Sequence, residues 1–292
     1  MSLMRMNYRS QLLGKFVDIS VVFPTDRMTL PENLMPDAYR YHAVDNVRNF
    51  EYKPGMKYQT IYLIHGGGDD DTLVYRYSNA ERYAQENCVM LVTPNIANSF
   101  GVDTEYGVNY QSFLTKELPW LVQTLFPSSP KREDNFIMGY AMGGNVALGT
   151  ALMHPELYAG CCDMSGGIGL TLDTDRFMEE LRQDHFAKGF KLYPATFGTG
   201  DLHGTRHDMM KAAKEAIAGG NPVPVRMVCG GDEFILGRVE NDVRLLKEIG
   251  YPVEYICDPG YTHDFPIWEK HIPLAMSEFF TLKRRPIYED EQ

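Results

Sequence analysis

The chain has 292 residues, of which 44% are hydrophobic and 23% are charged, a composition typical of a globular protein with a sizeable core. Its 28 Lys and Arg against 39 Asp and Glu give a net charge of −11, which argues against nucleic acid or an anionic membrane as a partner. No apolar run approaches the roughly 18 residues of a membrane span, so we expect no membrane partner either.

The amino terminus and the cysteines indicate a reducing compartment. Residues 1–6 lack the apolar core of a signal peptide. The 5 cysteines are odd in number and form no C-x-x-C pair, which is typical of buried free thiols rather than of a disulfide framework. We therefore expect a cytoplasmic protein, and we leave the formation of a homo-oligomer open.

Short apolar runs alternate with helix-period segments along most of the chain. The alternation of apolar and polar residues at Phe16–Phe23 is typical of an edge strand. The later runs are continuous and apolar, as in strands buried on both faces, and they cover 60–64, 88–92, 136–138, 158–164, 225–228 and 253–257. Predicted helices cover about 74–86, 110–126, 142–153, 208–217, 239–249 and 267–282. This order predicts an α/β protein with a mostly parallel, doubly wound sheet covered by helices on both faces.

Domain organisation is predicted to be simple. No repeat, low-complexity segment or linker interrupts the pattern, so residues 1–292 are expected to form a single domain. The stretch from about 170 to 224 is longer than a simple crossover connection and carries many polar residues. We expect it to form a small cap insertion over the carboxyl edge of the sheet, where open α/β sheets bind their ligands.

Residues 139–144 read Gly-Tyr-Ala-Met-Gly-Gly between a predicted strand and a predicted helix. This is the G-x-S-x-G spacing of a nucleophile elbow, with Ala141 in the position of the serine. Gly139 and Gly143 suit such a turn because side chains there would collide with the strand and helix packed against it. The elbow predicts an α/β-hydrolase fold, and the alanine removes the hydroxyl that would begin the reaction.

The other two positions of a catalytic triad follow in the chain order expected for this fold. Asp232 and Glu233 lie on the loop after the predicted strand 225–228, and either residue is a candidate for the acid. His263 comes after the last predicted strand and before the last helix, where the base is expected. In such a triad the histidine takes the proton of the nucleophile, and the carboxylate orients the imidazole ring.

Backbone donors for an oxyanion are predicted at two turns. Residues 65–68 read His-Gly-Gly-Gly after the strand 60–64, and glycines there let N–H groups approach a substrate oxygen. We predict the N–H groups of Gly67 and of Met142, the residue after the nucleophile position, as the oxyanion donors. The acidic run 69–71 that follows is predicted to be a solvent-exposed loop face.

Metal and nucleotide sites are less well supported. His203 and His207 have the spacing of helical metal ligands, with Asp201 nearby, but the glutamate of H-E-x-x-H is absent, so we predict no metal. No G-x-G-x-x-G motif follows the first strand, so we predict no nucleotide cofactor.

Taken together, these residues resemble the esterase D-like serine esterases, the group of S-formylglutathione hydrolases, tributyrin esterases and certain feruloyl and acetyl-carbohydrate esterases. The resemblance runs from about Phe16 to Phe280. Beyond the elbow and the turn at 65–68, it rests on the segments 77–83, 94–95, 103–107, 117–119, 164–166, 229–230 and 260–264.

The resemblance implies a serine esterase with a Ser-His-Asp/Glu triad that acts on short-chain acyl, acetyl-carbohydrate or feruloyl esters. Its partner would be a small-molecule or carbohydrate ester. The family pattern Cys-Gly-x-x-Asp-Phe, matched without gaps to residues 229–234, puts Glu233 in the acid position, whereas Asp232 has the usual residue type. Aromatic candidates for lining an alcohol or sugar site are Tyr106, Tyr140 and Trp268.

Ala141 is the clearest departure from the family pattern. Because every other catalytic position is filled, we favour an introduced Ser→Ala replacement that traps a substrate or product. The alternative is a naturally non-catalytic binding protein on the same fold. The residue that the gene encodes at position 141 separates the two.

Overall fold

The computed structural model describes residues 2–25, 28–29, 50–51, 53–167, 169–170, 179 and 193–288. The strands are β1 (Ser2–Arg9), β2 (Phe16–Phe23), β3 (Met28–Thr29), β4 (Phe50–Glu51), β5 (Thr60–Ile64), β6 (Met90–Pro94), β7 (Asn135–Tyr140), β8 (Cys161–Met164), β9 (Val225–Gly230) and β10 (Val253–Asp258). The α-helices are α1 (Leu73–Tyr77), α2 (Ala80–Glu86), α3 (Tyr110–Ser112), α4 (Leu118–Leu125), α5 (Met142–Met153), α6 (Tyr193–Phe197), α7 (Met209–Ala218), α8 (Leu236–Glu248) and α9 (Phe265–Leu274).

Within these residues, eight strands form one sheet in the order β1-β2-β6-β5-β7-β8-β9-β10, and β3 and β4 form a separate pair. β2 runs antiparallel to β1 and β6, whereas the strands from β6 to β10 are parallel to one another. Parallel strands require crossover connections, and the helices in these connections cover both faces of the sheet. The predicted α/β-hydrolase fold with a mostly parallel sheet is confirmed.

The sheet separates two apolar layers, and successive side chains of one strand enter different layers. In β5, Tyr62 and Ile64 contribute to the layer beneath α5 and α8, while Ile61 and Leu63 contribute to the layer beneath α2 and α9. All five residues of β5 are buried, which explains why the sequence shows a continuous apolar run instead of an alternation. Because β5, β7, β8 and β9 are parallel neighbours, their carboxyl ends lie along the same edge of the sheet.

The amino-terminal strand β1 is an element that the sequence pattern did not predict. It pairs with the whole of β2, from Ser2 opposite Phe23 to Arg9 opposite Phe16. The prediction that Phe16–Phe23 is an edge strand is therefore wrong, because β1 is the edge. Most β1 side chains are exposed or half-buried, so no regular burial period marks the strand in the sequence.

Arg5 of β1 binds the loop that follows β5. Its guanidinium donates to both carboxylate oxygens of Asp71 at 2.9 Å, and Ser20 donates to the same carboxylate at 2.6 Å. Asp71 is fully buried, so the prediction that the run 69–71 is a solvent-exposed face is wrong for this residue. Charge-assisted hydrogen bonds offset the cost of burying its carboxylate.

Two predicted helices are divided in the structure. The segment 74–86 is split into α1 and α2 at Ser78, whose hydroxyl donates to the carbonyl of Val74 and accepts from the N–H of Ala80. Such local side-chain bonds compete with the helical ladder. The segment 110–126 continues from α3 to α4 through a π-helical turn at Phe113–Glu117.

The predicted cap insertion at about 170–224 lies partly outside the described residues. Its later part includes α7, which packs against α5 as a crossover helix before β9; a Cβ added at Gly149 of α5 would lie 3.6 Å from Met209 of α7. Its earlier described part, α6, accepts hydrogen bonds from the N–H groups of Glu105 and Tyr106 through the carbonyls of Thr196 and Ala195. The cap and the single domain stay predictions.

None of the five cysteines forms a disulfide, and Cys257 is exposed while the others are buried. Among the helices of the described residues, none combines the length and apolarity needed to cross a lipid bilayer.

Candidate active site

Ala141 lies at a sharp turn between β7 and α5 in a strained backbone conformation. Its φ of 50° and ψ of −125° fall in a region that residues with a side chain rarely adopt. Its N–H donates to the carbonyl of Met164 at 2.9 Å, and its own carbonyl accepts from Gly144 at 3.0 Å. Neighbouring strand and helix thus hold the conformation in place although alanine brings no chemistry to it.

The two flanking glycines have no room for a side chain. A Cβ at Gly139 would lie 2.1 Å from the carbonyl oxygen of Gly143. A Cβ at Gly143 would lie 2.1 Å from the carbonyl oxygen of Ile64. These contacts are far inside van der Waals distance, so the turn requires glycine at both positions, as the spacing of the motif predicts.

Glu233 and His263 form a direct pair. Nδ1 of His263 lies 2.7 Å from Oε2 of Glu233, and since a carboxylate only accepts, this nitrogen donates. Oε1 of Glu233 accepts from the N–H of Gly230 at 2.7 Å and from the hydroxyl of Ser165 at 2.7 Å. Burial raises the pKa of the Glu233 carboxyl, but the bonds from His263, Gly230 and Ser165 outweigh burial and hold the pKa below its ordinary value.

Asp232, the other candidate for the acid, lies outside this arrangement. Asp232 is exposed to solvent, and its backbone N–H donates to the carbonyl of Tyr261 at 3.0 Å. The side chain of Glu233, by contrast, is completely buried against His263. The structure thus brings one of the two carboxylates to the histidine and leaves the other in solvent.

Ser165 connects the acid, the elbow and an indole ring. It is buried with a φ of 62°, and its hydroxyl accepts from Nε1 of Trp268 at 3.0 Å while it donates to Glu233. It directly follows Met164, which accepts the N–H of Ala141. Sequence reasoning assigned Ser165 no role, although it lies in the segment 164–166 that carries part of the family resemblance.

Trp268 and Tyr140 lie beneath the site instead of lining it. Trp268 packs edge-on against the His263 ring at 5.2 Å between centroids and stacks on Tyr140 at 4.8 Å. Tyr140 is 0% exposed and Trp268 is 6% exposed, so neither side chain is placed where a substrate could lie on it. The sequence predicted that both rings line an alcohol or sugar site, but in the structure both are buried. They pack beneath His263 instead, with Trp268 between Tyr140 and the imidazole.

Tyr106, the third aromatic candidate, is 50% exposed on the loop between β6 and α3. Its loop is fixed to α6 by backbone bonds and by an ion pair of 2.5 Å between Glu105 and Arg206. The structure gives no contact between Tyr106 and Glu233 or His263.

The predicted oxyanion donors lie on adjacent turns. A Cβ at Gly67 would be 3.9 Å from the Cβ of Met142, so the two residues are close neighbours. Met142 is the first residue of α5, where N–H groups lack partners within the helix and the helix dipole favours negative charge. The N–H of Gly68 donates to Oδ1 of Asn98 at 2.6 Å, which fixes the turn from its other side.

His65 supports the same turn from within. Its Nδ1 lies 2.7 Å from the carbonyl oxygen of Gly66 and so donates, and its Nε2 accepts from the N–H of Ile96 at 3.0 Å. Burial lowers the pKa of its imidazole, which keeps the ring neutral. A neutral His65 therefore ties the turn after β5 to the loop after β6.

A second buried carboxyl, Asp163, lies under the elbow at the end of β8. A Cβ at Gly144 or at Gly166 would be 2.2 Å from its Oδ1. Burial, with smaller contributions from the charges of Asp242 and Glu233, raises the pKa of Asp163 to about 8. Burial likewise raises the pKa of Asp242 to about 7. Sequence reasoning did not single out either aspartate.

The residues considered as metal ligands are held by other partners. Nδ1 of His203 binds Asp201, and Nε2 of His207 accepts from Nε of Arg206 at 3.2 Å. In the part of the chain that the structure describes, no group of three or more His, Cys, Asp or Glu side chains could hold a metal ion.

A strained turn before a helix, a buried acid–histidine pair and adjacent backbone donors are the arrangement expected from the sequence resemblance. The family model for the Esterase family matches residues 46–270. The chain belongs to the Esterase family. Its similarity to the esterase D-like group, inferred above from motifs, is thereby confirmed.

Relatives of known structure or activity cover almost the whole chain. An acetyl esterase of Caldicellulosiruptor saccharolyticus is 26% identical over 278 residues, which are 94% of this chain and 97% of that protein. The serine hydrolase FphF of Staphylococcus aureus is 25% identical with a TM-score of 0.76 and the same coverage of 94% and 97%. The S-formylglutathione hydrolase FrmB of Staphylococcus aureus, at 24% identity and a TM-score of 0.72, shares the fold over 94% of this chain and 97% of its own.

The family model and the relatives together identify the chain as a carboxylic-ester hydrolase by family and fold. Esters of small molecules are the substrates of such enzymes.

Proposed function

We propose that the chain is a serine-type carboxylic-ester hydrolase in which Ala141 replaces the nucleophile, His263 is the general base and Glu233 is the acid that orients it. The backbone N–H groups of Gly67 and Met142 are the oxyanion donors. The observation that carries the proposal is the bond between His263 and Glu233, which is connected through Ser165 and Met164 to the strained turn at position 141.

In the serine form, Nε2 of His263 would take the proton of the hydroxyl at position 141 while the oxygen attacks the ester carbonyl. Nδ1 already donates to Glu233, so the opposite nitrogen is the one able to accept. The negative charge that develops on the carbonyl oxygen is stabilised by the two N–H groups and by the start of α5. Protonated His263 then gives its proton to the departing alcohol.

The second half of the reaction repeats these steps with water. His263 takes a proton from water, water attacks the acyl-enzyme ester, and the acid is released as the serine oxygen is reprotonated. With alanine at position 141 no acyl-enzyme forms. An ester can still bind, because the replacement of serine by alanine removes one oxygen and little volume.

The favoured substrates are esters of short or medium acyl groups, with acetyl and butyryl groups first and feruloyl groups next. The acetyl esterase relative supports the acetyl group. The intact hydrogen bond between Glu233 and His263 supports an introduced Ser→Ala replacement. In a protein that had long been without a nucleophile, nothing would maintain the acid and the base in this arrangement.

A non-catalytic binding protein on the same fold is the second candidate, and Ala141 is the observation that favours it. A gene that encodes serine at position 141 removes this candidate, whereas a gene that encodes alanine supports it.

The test is a paired assay of the Ala141 protein and the Ala141→Ser variant on nitrophenyl acetate, nitrophenyl butyrate and a feruloyl ester. We expect only the serine form to turn over these esters. The addition of His263→Ala to the serine form should lower kcat by on the order of a thousandfold or more.

A serine form as inactive as the alanine form would overturn the proposal and favour the binding protein. Near-normal activity of the His263→Ala variant would remove His263 from the mechanism. Chelators serve as a control, since a serine mechanism without metal predicts no inhibition by them.

A further inference from the structure

Five aromatic or imidazole rings form a continuous row through His263, which we call the aromatic row. In order, its members are Phe234, His263, Trp268, Phe265 and Tyr77. Consecutive ring centroids are 5.0, 5.2, 5.1 and 4.9 Å apart. The row therefore runs from the loop of the acid, across the base, to the end of α1.

The two ends of the aromatic row are exposed, while its middle is buried. Phe234 is 59% exposed and Tyr77 is 61% exposed, whereas Trp268 is 6% exposed. Single exposed aromatic residues are common on protein surfaces and need no function. Phe234 differs in two respects. Its ring contacts the imidazole of His263, the proposed base. The residue also directly follows the proposed acid, Glu233, in the chain.

The side of the substrate that meets Phe234 follows from the chemistry. The base must hand its proton to the oxygen of the leaving alcohol, so the alcohol portion of a bound ester lies against His263. Trp268 also contacts His263 but is buried, so Phe234 is the exposed ring of the aromatic row that an alcohol portion lying against His263 can reach. An exposed Phe offers a flat apolar face there, against which an aromatic ring or the C–H face of a sugar ring can stack.

Two exposed carboxylates lie within two positions of Phe234 or His263 in the chain. Asp232 and Asp264 are both exposed and are the chain neighbours of Glu233 and His263. Carboxylates at this position repel an anionic alcohol portion and tolerate a neutral one.

We infer that Phe234 forms the alcohol subsite of this esterase and selects esters of uncharged, ring-bearing alcohols. The inference rests on the proposed function, because it requires His263 to protonate the leaving alcohol. It adds what that function leaves open, namely which part of the substrate is recognised beside the base.

The experiment uses the Ala141→Ser protein and esters that all carry acetate. Ethyl acetate has an open-chain alcohol, 2-naphthyl acetate and phenyl acetate carry aromatic rings, an acetylated methyl glucoside carries a sugar ring, and 4-acetoxybenzoate carries a ring with a carboxylate. All five form the same acetyl-enzyme, so differences in kcat/KM arise before the alcohol leaves.

Phe234→Ala should lower kcat/KM for the ring-bearing neutral acetates by ~5-fold or more and change ethyl acetate by less than ~2-fold. Phe234→Leu, which stays apolar but loses the flat ring, should recover only part of the loss. The matched control is Phe16→Ala, because Phe16 is 61% exposed on β2, which is separated from β7 by two strands. The Ala141→Ser protein should itself favour phenyl acetate over 4-acetoxybenzoate, and the further change Asp232→Asn should narrow that preference.

A loss that is equal for all acetates, or equal in Phe16→Ala, would overturn the inference while the esterase assignment stands. Loss with only the aromatic or only the sugar ester would identify which ring the subsite takes. If the Ala141→Ser protein hydrolyses none of the acetates, the proposed function itself fails, and the two failures are thereby distinguishable.

Discussion

Ser165 and Glu233, 68 positions apart in the chain, are joined by a hydrogen bond of 2.7 Å between the serine hydroxyl and Oε1 of the carboxylate. Because the same hydroxyl accepts from the indole of Trp268 at 3.0 Å, its proton is directed at Glu233. Trp268 also packs edge-on against His263. The acid and the base are therefore oriented together by residues outside the triad.

Removal of the Ser165 hydroxyl should weaken catalysis without removing it. In the Ala141→Ser protein we expect Ser165→Ala to lower kcat by ~10-fold and to leave KM nearly unchanged, because one donor to Glu233 is lost and the indole N–H loses its acceptor. The hydrogen bond from Ser165 lowers the pKa of Glu233. Without this bond the pKa of Glu233 rises, so the carboxylate becomes protonated at a higher pH than in the protein with Ser165.

The pH profile of kcat/KM separates positioning from mere stability. An acid limb that moves to higher pH in Ser165→Ala supports positioning. An unchanged profile, with activity lost only in proportion to a lower Tm, would contradict it.

Alanine replacements at Glu233 and Asp232 form a matched pair on adjacent residues. In the serine form we expect Glu233→Ala to lower kcat by on the order of a thousandfold, since the charge that orients His263 is lost. Asp232→Ala should change kcat less than ~3-fold for neutral esters, because its side chain is exposed and the carboxylate that bonds to His263 is that of Glu233. Similar small losses in both variants would place the acid elsewhere.

Gly143 and Gly149 lie in the same helix α5 and should respond oppositely to alanine. A Cβ at Gly143 would meet the carbonyl oxygen of Ile64 at 2.1 Å, so we expect Gly143→Ala to destabilise the fold by about 3 kcal/mol or more. A Cβ at Gly149 has its nearest neighbour at 3.6 Å, and alanine there should be neutral or stabilise by about 0.5–1 kcal/mol. Urea unfolding measures both, and equal effects would contradict the close packing of the elbow.

Asp163 should make the protein less stable as the pH rises. Its pKa of about 8 in the folded state lies above the ordinary value of about 3.9 expected for the unfolded chain. Folding therefore keeps a proton that the unfolded chain releases, so the contribution of Asp163 to stability is fully present below about pH 4 and is lost as the pH rises toward 8. Asp242, with a pKa of about 7, acts in the same direction.

Asp163→Asn cannot titrate and resembles the protonated carboxyl in shape. We expect its Tm to fall less than that of the unchanged protein between pH 5 and pH 8, while the exposed control Asp232→Asn keeps the original slope. Thermal unfolding at several pH values is the measurement. Identical slopes in the Asp163→Asn variant and the unchanged protein would show that this carboxyl is ionised in the folded state.

The sequence predicted the inner sheet well because local composition decides a strand buried on both faces. The apolar runs at 60–64 and 225–228 became β5 and β9, and the glycine spacing around Ala141 became a turn that no other residue fits. It failed at β1, where no burial period marks an edge strand, and at Asp71, whose burial depends on Arg5 from that distant strand.

For the candidate site, the sequence narrowed the acid to two neighbours and could not choose between them. Their spacing from the strand differs by one residue, but the turn of the loop after β9 buries Glu233 and exposes Asp232. It also proposed Tyr140 as a lining residue, whereas the ring turns into the core and stacks on Trp268. The direction of a side chain depends on packing that is remote in the chain.

The sequence by itself determined the order of the inner strands and of the helices between them, the elbow with its missing hydroxyl, and the places of the base and acid loops. These features are local, since periodicity, glycine at a tight turn and chain order act over a few residues. Only the tertiary structure decided that Glu233 and not Asp232 reaches His263, that Ser165 and Trp268 orient the pair, and that Phe234 stands exposed beside the base. Such relationships join residues up to 103 positions apart, and packing between separate elements sets them.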